Sequence, residues 1–313
     1  MTIQIGISAC VLGEPVRFDG GHKASTFCLQ HLRSLVRFVA VCPEQAIGLG
    51  VPRPAIRLQR DAAHNITLVQ SRDPSVDHTS AMLTYTDRLL PELARLSGYI
   101  VCAKSPSCGM ERVRVYDDAG QQLGKIGVGV FTRRLMQYYP WLPVEEDGRL
   151  LDPALRENFI TRIYACHDYQ QQMQDGFSVA KLVNFHSRYK FLIMAHSPTA
   201  YRELGRLVAS ARLFDMAELS QRYLTDLMQA LKNIATRKLH ANVLQHLQGF
   251  LKKSLTYAEK QELTDLIHRY RQGFLPLMSP LTLLTHHLRQ YPNQYVAAQR
   301  YLCPYPEQLG LRA

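Results

Sequence analysis

Between residues 3 and 140 the apolar positions switch repeatedly between two-residue and 3.6-residue spacing. Ile3–Ala9 alternates as a strand, Lys23–Leu35 has helical spacing, and Arg37–Val41 is a strand again. Ile56–Arg60 and Ile66–Ser71 predict a hairpin across Ala62-Ala-His-Asn65. Asp77 is placed to cap a helix running towards Leu96, which Pro91 divides or kinks. Gly98–Lys104 and Val113–Tyr116 are further strands, Asp117–Gly120 is a turn, and Gly127–Tyr139 is a helix. Strands separated by helices predict an α/β, Rossmann-like, mostly parallel sheet.

After Trp141-Leu-Pro-Val144 the texture changes. Glu145–Arg149 reads as a polar turn and Asp152-Pro153 as a helix start. From there 3.6-residue periodicity predicts helices at Leu155–Cys166, Val179–Met194, Thr199–Leu213, Met216–Arg237, Ala241–Lys253, Tyr257–Gln272 and Leu281–Gln290. An α/β domain over residues 1–150 is thus followed by an all-α domain over 151–313, with no internal repeat.

Composition narrows the class. No apolar run reaches a membrane span and no basic leader precedes the first strand, so the expectation is a cytoplasmic protein with no membrane partner. Seven cysteines, odd in number and without a CxxC pair, exclude a dense disulfide framework and the usual structural zinc pattern. The net charge of +11 is uneven: residues 1–150 carry 17 Lys/Arg against 14 Asp/Glu, and residues 151–313 carry 20 against 12. Excess positive charge favours polyanions through phosphate contacts. In the helical half Lys232, Arg237, Lys238, His240, Lys252, Lys253, His268, Arg269 and Arg271 recur among tyrosines, the pattern of a surface that holds phosphates and stacks on bases. The alternative is a solvated face over a core of Tyr and Phe. His186 and His196, without HxxxH spacing, read as hydrogen-bonded core histidines.

Three cysteines follow strand ends: Cys10, Cys42 and Cys108, each among Gly, Pro and Ser. Residues leaving the carboxyl ends of parallel strands converge on one crevice. That predicts a three-thiolate metal centre with an open position, although a lone strand-end cysteine is ordinarily a small buried hydrophobe.

The segments Ile7–Gly21, Val41-Cys-Pro-Glu44 with Gly48–Pro54, and Lys104-Ser-Pro-Ser-Cys-Gly109 resemble, in order and spacing, the thiouracil desulfidase (TudS) family over roughly residues 1–150. Lys190–Pro198 and Tyr201–Arg206 resemble a second, formerly uncharacterised family often fused to it. The pairing is similar to bacterial desulfidases of the RudS type, which act on 4-thiouridine in transfer RNA. The resemblance implies a [4Fe-4S] cluster on Cys10, Cys42 and Cys108, with catalytic roles for Glu44 and for Ser105 or Ser107. A cluster on three thiolates leaves one iron able to bind a thiocarbonyl sulfur as a Lewis acid, without net electron transfer. Glu44 is then a general base or proton shuttle, against the plainer role of capping its turn. Ser105 and Ser107 orient ring or water, or else only satisfy backbone groups around Pro106. Lys104, Arg53 and Arg17 are candidate substrate-binding groups; Arg57 and Asp19 are further pocket candidates. Cys28, Cys102, Cys166 and Cys303 match no ligand position, and Cys102 reads as a core thiol. Gly127-Val-Gly129 before a helix is an anion site or a plain turn.

The implied activity is non-redox removal of sulfur from 4-thiouridine in transfer RNA, the basic helical half docking the RNA and no obligate protein partner being required. Alternatives are a desulfidase of free thiouracil or thiouridine nucleotides and, in another class, a non-catalytic iron–sulfur sensor or RNA-binding regulator.

Overall fold

The computed structural model describes residues 2–311, and the chain divides into two compact units at Asp152/Pro153. The strands of the first unit are β1 (Ile3–Ser8), β2 (Val36–Val41), β3 (Ile56–Arg60), β4 (Ile66–Gln70), β5 (Gly98–Val101), β6 (Val113–Tyr116), β7 (Gln122–Gly127) and β8 (Val144–Glu146). Its helices are α1 (Pro43–Ala46), α2 (Thr79–Leu89) and α3 (Val130–Tyr138). The strands form two sheets, ordered β2-β1-β5-β8 and β4-β3-β6-β7. The first is parallel throughout. Its central strands are apolar on both faces, as sheets covered on both sides require: Ile5, Ile7, Tyr99 and Ile100 are fully buried. Gly6 makes room for its partner Tyr99, since a Cβ there would lie 2.2 Å from the tyrosine ring.

β2 lies on one side of β1 and β5 on the other, so the strand order reverses at β1. The crevice beyond the carboxyl ends of β1 and β5 is therefore the topological switch point where such sheets bind ligands.

β1, β2 and β5 of the parallel sheet are as the sequence predicts; β8 and the separate second sheet are additions. The hairpin of β3 and β4 closes through Asp61, whose carboxylate accepts from the Asn65 amide at 2.8 Å. β3 runs parallel to β6, and the Asp117–Gly120 turn returns the chain as antiparallel β7. Gln122–Gly127 shows no alternation because it is polar, Gly-containing and largely exposed. β8 was hidden for the opposite reason, since Glu145 and Glu146 look like turn residues yet are 3% exposed. Arg149 Nε donates to Glu145 at 2.6 Å and the Met110 amide to Glu146 at 3.0 Å, which makes their burial tolerable.

The helix predicted over Lys23–Leu35 shrinks to one wide turn at Phe27–Leu32. The amides of Lys23 and Ser25 instead pair with the carbonyls of Cys10 and Val11, at 2.8 and 2.9 Å, which ties this stretch to the Cys10 turn. β5 stops at Val101 because the next amides leave the ladder: Cys102 N–H donates to Ser8 Oγ at 3.0 Å and Ala103 N–H to Asp147 at 2.8 Å. Asp77 accepts from Thr79 N–H at 2.7 Å at the start of α2, and Leu90-Pro91 ends that helix.

The second unit is helical: α4 (Pro153–Met173), α5 (Val179–His196), α6 (Pro198–Ala209), α7 (Met216–Lys232), α8 (Arg237–Phe250), α9 (Tyr257–Gln272), α10 (Met278–Gln290) and α11 (Gln294–Ala297). Side-chain caps set several starts, from Ser178, Ser197, Asp215 and Thr236 to the reciprocal box of Thr256 and Glu259. The single helix predicted over Met216–Arg237 breaks before Thr236, which caps α8. Phe185, Tyr189, Tyr223 and Tyr301 are buried, so these aromatics are core and not base-stacking platforms. Among the described residues no helix is long and apolar enough to cross a membrane.

Candidate active site

Each cysteine of the predicted trio sits where its strand gives way to a tight turn. Cys10 lies in the turn Ala9–Leu12 after β1, Cys42 caps α1 after β2, and Cys108 ends the loop after β5. All three line one cavity of about 410 Å³, together with Lys23, Glu44, Arg53 and Ser105.

The loop carrying Cys108 is held from two sides. Ser105 accepts the amides of Cys108 at 3.1 Å and Ser107 at 3.3 Å. From behind, α3 donates its first amides, Val130 to Pro106 O at 3.1 Å and Phe131 to Ser107 O at 3.0 Å, and Thr132 Oγ1 donates to Cys108 O at 2.6 Å. This needs Gly129, where a Cβ would lie 2.5 Å from the Ser107 carbonyl. The anion site considered at Gly127–Gly129 is thereby excluded, because the amides are already engaged by this loop.

Glu44 is the hub of the polar side. Arg53 donates to its Oε2 from Nε at 2.9 Å and from Nη2 at 2.6 Å. Ser107 Oγ donates to Oε1, and Ser105 Oγ lies 2.9 Å from Ser107 Oγ. Ser107 is fully buried while Ser105 faces the cavity. The result is a continuous hydroxyl–hydroxyl–carboxylate chain from the cavity to Glu44. Charge-assisted contacts of this kind are short and directional.

Cys10, Cys42 and Cys108 disfavour ionisation as they stand. A hydrogen bond to Cys102 is the largest cause of the upward push on Cys10, followed by burial and the neighbouring thiols. Burial raises Cys42, against opposing amides of Gln45 and Glu44 that point at its sulfur. Burial also raises Cys108, with Glu44 adding to it. Cys102 moves the other way, lowered by its hydrogen bond from Cys10. A cationic metal group among these sulfurs would remove both penalties, since coordinated thiols are held as thiolates. Among the described residues no three His, Cys, Asp or Glu side chains are arranged to hold a single metal ion. A cluster binds each thiolate to a different iron, so Cys10, Cys42 and Cys108 need not share one ion to hold it.

Other expectations are redistributed. Arg53, expected at a substrate phosphate, has a side chain only 4% exposed; it holds Glu44 and donates to Val16 O and Gly50 O. Lys104 lines the cavity with φ of +66°, and Arg17 lines it while pairing with Asp19 at 3.4 Å. Arg57 lies over the Tyr116 ring and does not line the cavity. Cys102 is a core thiol, 4% exposed, that also lines the cavity. Cys28 and Cys166 are buried elsewhere and Cys303 is exposed. Sequence reasoning missed Lys23 and Asp147, whose ion pair closes at 2.8 Å beside Cys10 and Cys102. Burial alone would lower Lys23, but Asp147 outweighs it and raises it. The signal was topological only: the carboxyl end of β8 brings Asp147 to the same rim.

Residues 5–147 match the family described as 2-thiouracil desulfurase, and residues 190–306 match the family described as protein of unknown function, DUF1722. The chain thus joins an α/β region that matches a desulfurase family to a helical region that matches DUF1722. Uncharacterized protein YbgA of Escherichia coli (strain K12) is 32% identical over 157 residues, 50% of this chain and 93% of YbgA. The chain belongs to the YbgA family. A solved structure of a [4Fe-4S]-dependent thiouracil desulfidase, TudS, is 28% identical, covering 48% of this chain and 94% of that one with a TM-score of 0.37.

Proposed function

We propose that the protein is an iron–sulfur desulfidase that converts 4-thiouridine in transfer RNA to uridine and hydrosulfide, its [4Fe-4S] cluster held by Cys10, Cys42 and Cys108. The observation that carries this reading is the convergence of three distant thiols on one cavity that also receives the Ser105–Ser107–Glu44 chain. The match of residues 5–147 to a desulfurase family supports the same chemistry.

When bound, such a cluster supplies an iron without a protein ligand, a Lewis acid with affinity for sulfur. The chain's own residues manage protons and position. Water replaces sulfur at the ring carbon, so one water proton must leave as the C–O bond forms. Ser105 Oγ, at the cavity wall, takes that proton while passing its own to Ser107, and Ser107 passes its own to Glu44 Oε1. Arg53 keeps Glu44 Oε2 occupied and so aims Oε1 at Ser107. Such general-base assistance contributes about 10²–10⁴-fold. Lys23, paired with Asp147, offers a cation beside the sulfurs, where departing sulfide carries negative charge.

Transfer RNA as substrate is supported by the exposed Lys232, Lys238, Lys252, Lys253 and Arg271 of the helical unit. A second reading, desulfidation of free thiouracil, is favoured by the family description and by a cavity large enough for a lone base. Anaerobic hydrosulfide release from thiolated transfer RNA and from 2-thiouracil decides between them. Faster release from transfer RNA at equal concentration is expected; release from the base alone replaces the substrate, and release from neither removes the enzyme in favour of a sensor or regulator.

A further inference from the structure

α5 and α6, separated only by Ser197, border a second cavity of about 550 Å³, broadly open to solvent, in the helical unit. Its α5 wall is Val183, His186, Ser187 and Lys190, spaced three and four apart and so on one helical face. Tyr201, Arg202, Gly205 and Arg206 from α6 face them. Among the described residues no acidic side chain lines the cavity, and none is ion-paired with Lys190, Arg202 or Arg206. Three cations thus share one concavity without a counter-charge. Lys190 Nζ lies over the Phe191 and Tyr295 rings, at 5.3 and 4.8 Å, and not against a carboxylate.

Gly205 sets the depth. A Cβ there would meet only His186 Nε2, at 3.9 Å, so the cavity reaches the edge of that ring. The other ring nitrogen, Nδ1, lies 3.0 Å from Tyr223 Oη. When the Tyr223 hydroxyl donates to Nδ1, the proton of the neutral imidazole sits on Nε2 and faces the cavity. The floor is then a neutral donor beneath a rim of cations. Volume exceeds what a bare phosphate fills and falls in the range of small-molecule sites.

We propose that the α5/α6 cavity is a nucleotide-phosphate site. Arg202, Arg206 and Lys190 neutralise the phosphate, His186 Nε2–H and Ser187 Oγ–H donate to it, and Tyr201 with Val183 borders the attached nucleoside. Arginine forks and lysine point charges suit phosphate oxygens in complementary ways. The site is independent of the desulfidase chemistry; only the assignment of its phosphate to an RNA chain rests on the transfer RNA reading above.

The test uses the full-length protein with two probes, uridine 5′-monophosphate by calorimetry and an unmodified transfer RNA by fluorescence anisotropy. Two variants alter the cavity by different means. Gly205→Leu fills it from a helical position where the new Cβ meets no clash, and Arg202→Ala/Arg206→Ala removes its charge. Each is expected to weaken binding at least tenfold while 2-thiouracil turnover stays at the wild-type rate. Loss with both probes assigns the site to phosphates of RNA, and loss with the mononucleotide alone assigns it to a free nucleotide. Unchanged affinity for both probes in both variants, or no binding of either probe to the wild type, overturns the proposal. Because the readout is binding, an inactive wild type that still loses affinity in the variants would sink the desulfidase and leave this site standing.

Discussion

Glu44 has two oxygens and each has one task. Arg53 occupies Oε2 and Ser107 reaches Oε1, so the carboxylate cannot turn without losing charge-assisted bonds. Glu44→Gln is expected to keep the fold and lower turnover about 10²–10⁴-fold, because it keeps the shape and removes the proton acceptor. Ser107→Ala breaks the chain in the middle and is expected to act in the same direction. Wild-type turnover in Ser107→Ala would show that Ser105 works without Glu44. A second residue-scale effect concerns pH. Burial, helped by Lys190, lowers His186 to about 4, below its ordinary 6.5. The unfolded chain therefore binds the proton more readily, and this contribution to stability is complete above about pH 6.5 and lost as pH falls towards 4. The slope is at most about 1.4 kcal/mol per pH unit from one group. Thermal melts of wild type and His186→Gln across that window should differ in slope, the variant being flatter; parallel slopes would contradict it. Glu44 and the three cysteines were visible from their strand-end motifs. Arg53 as the partner of Glu44, and Cys102 as a cavity thiol, were not, because both depend on where a loop folds back.

Among the elements, the junction of α3 with the 104–109 loop bears most directly on the site. Gly129 lets four donors of α3 grip that loop, so Gly129→Ala forces either α3 or Ser107 to move. Such overpacking costs about 1–3 kcal/mol. A lower melting temperature together with a disproportionate loss of turnover is expected, since the displaced residues are Ser107 and Cys108; a wild-type melting curve and rate would show that the contact is slack. β1 and β5 were legible because each is an apolar run buried on both faces. β7 and β8 were not, one being exposed and polar, the other a buried acidic segment whose partners lie far along the chain. The predicted helix at Lys23 failed; residues 23 and 25 pair with the Cys10 turn instead. That same failure delivers Lys23 to the cavity, a link no local pattern carries.

On the scale of the molecule, charge and chemistry are divided between units. The α/β unit holds the cavity thiols and the Ser105–Ser107–Glu44 chain, while the helical unit holds most of the excess positive charge. If phosphates dominate RNA binding, log affinity should fall with log salt by about 0.9 per neutralised phosphate. Hydrosulfide release from a free base should be much less sensitive to salt over the same range. The central claim, however, lies in the first unit and is tested most directly by metal content. Anaerobic reconstitution with iron and sulfide, followed by quantification of both, should give about four of each per chain. Cys10→Ser, Cys42→Ser and Cys108→Ser should each lose them, and Cys102→Ser should retain them. Full iron and sulfide in any of the first three variants, or none in the wild type, would contradict the account.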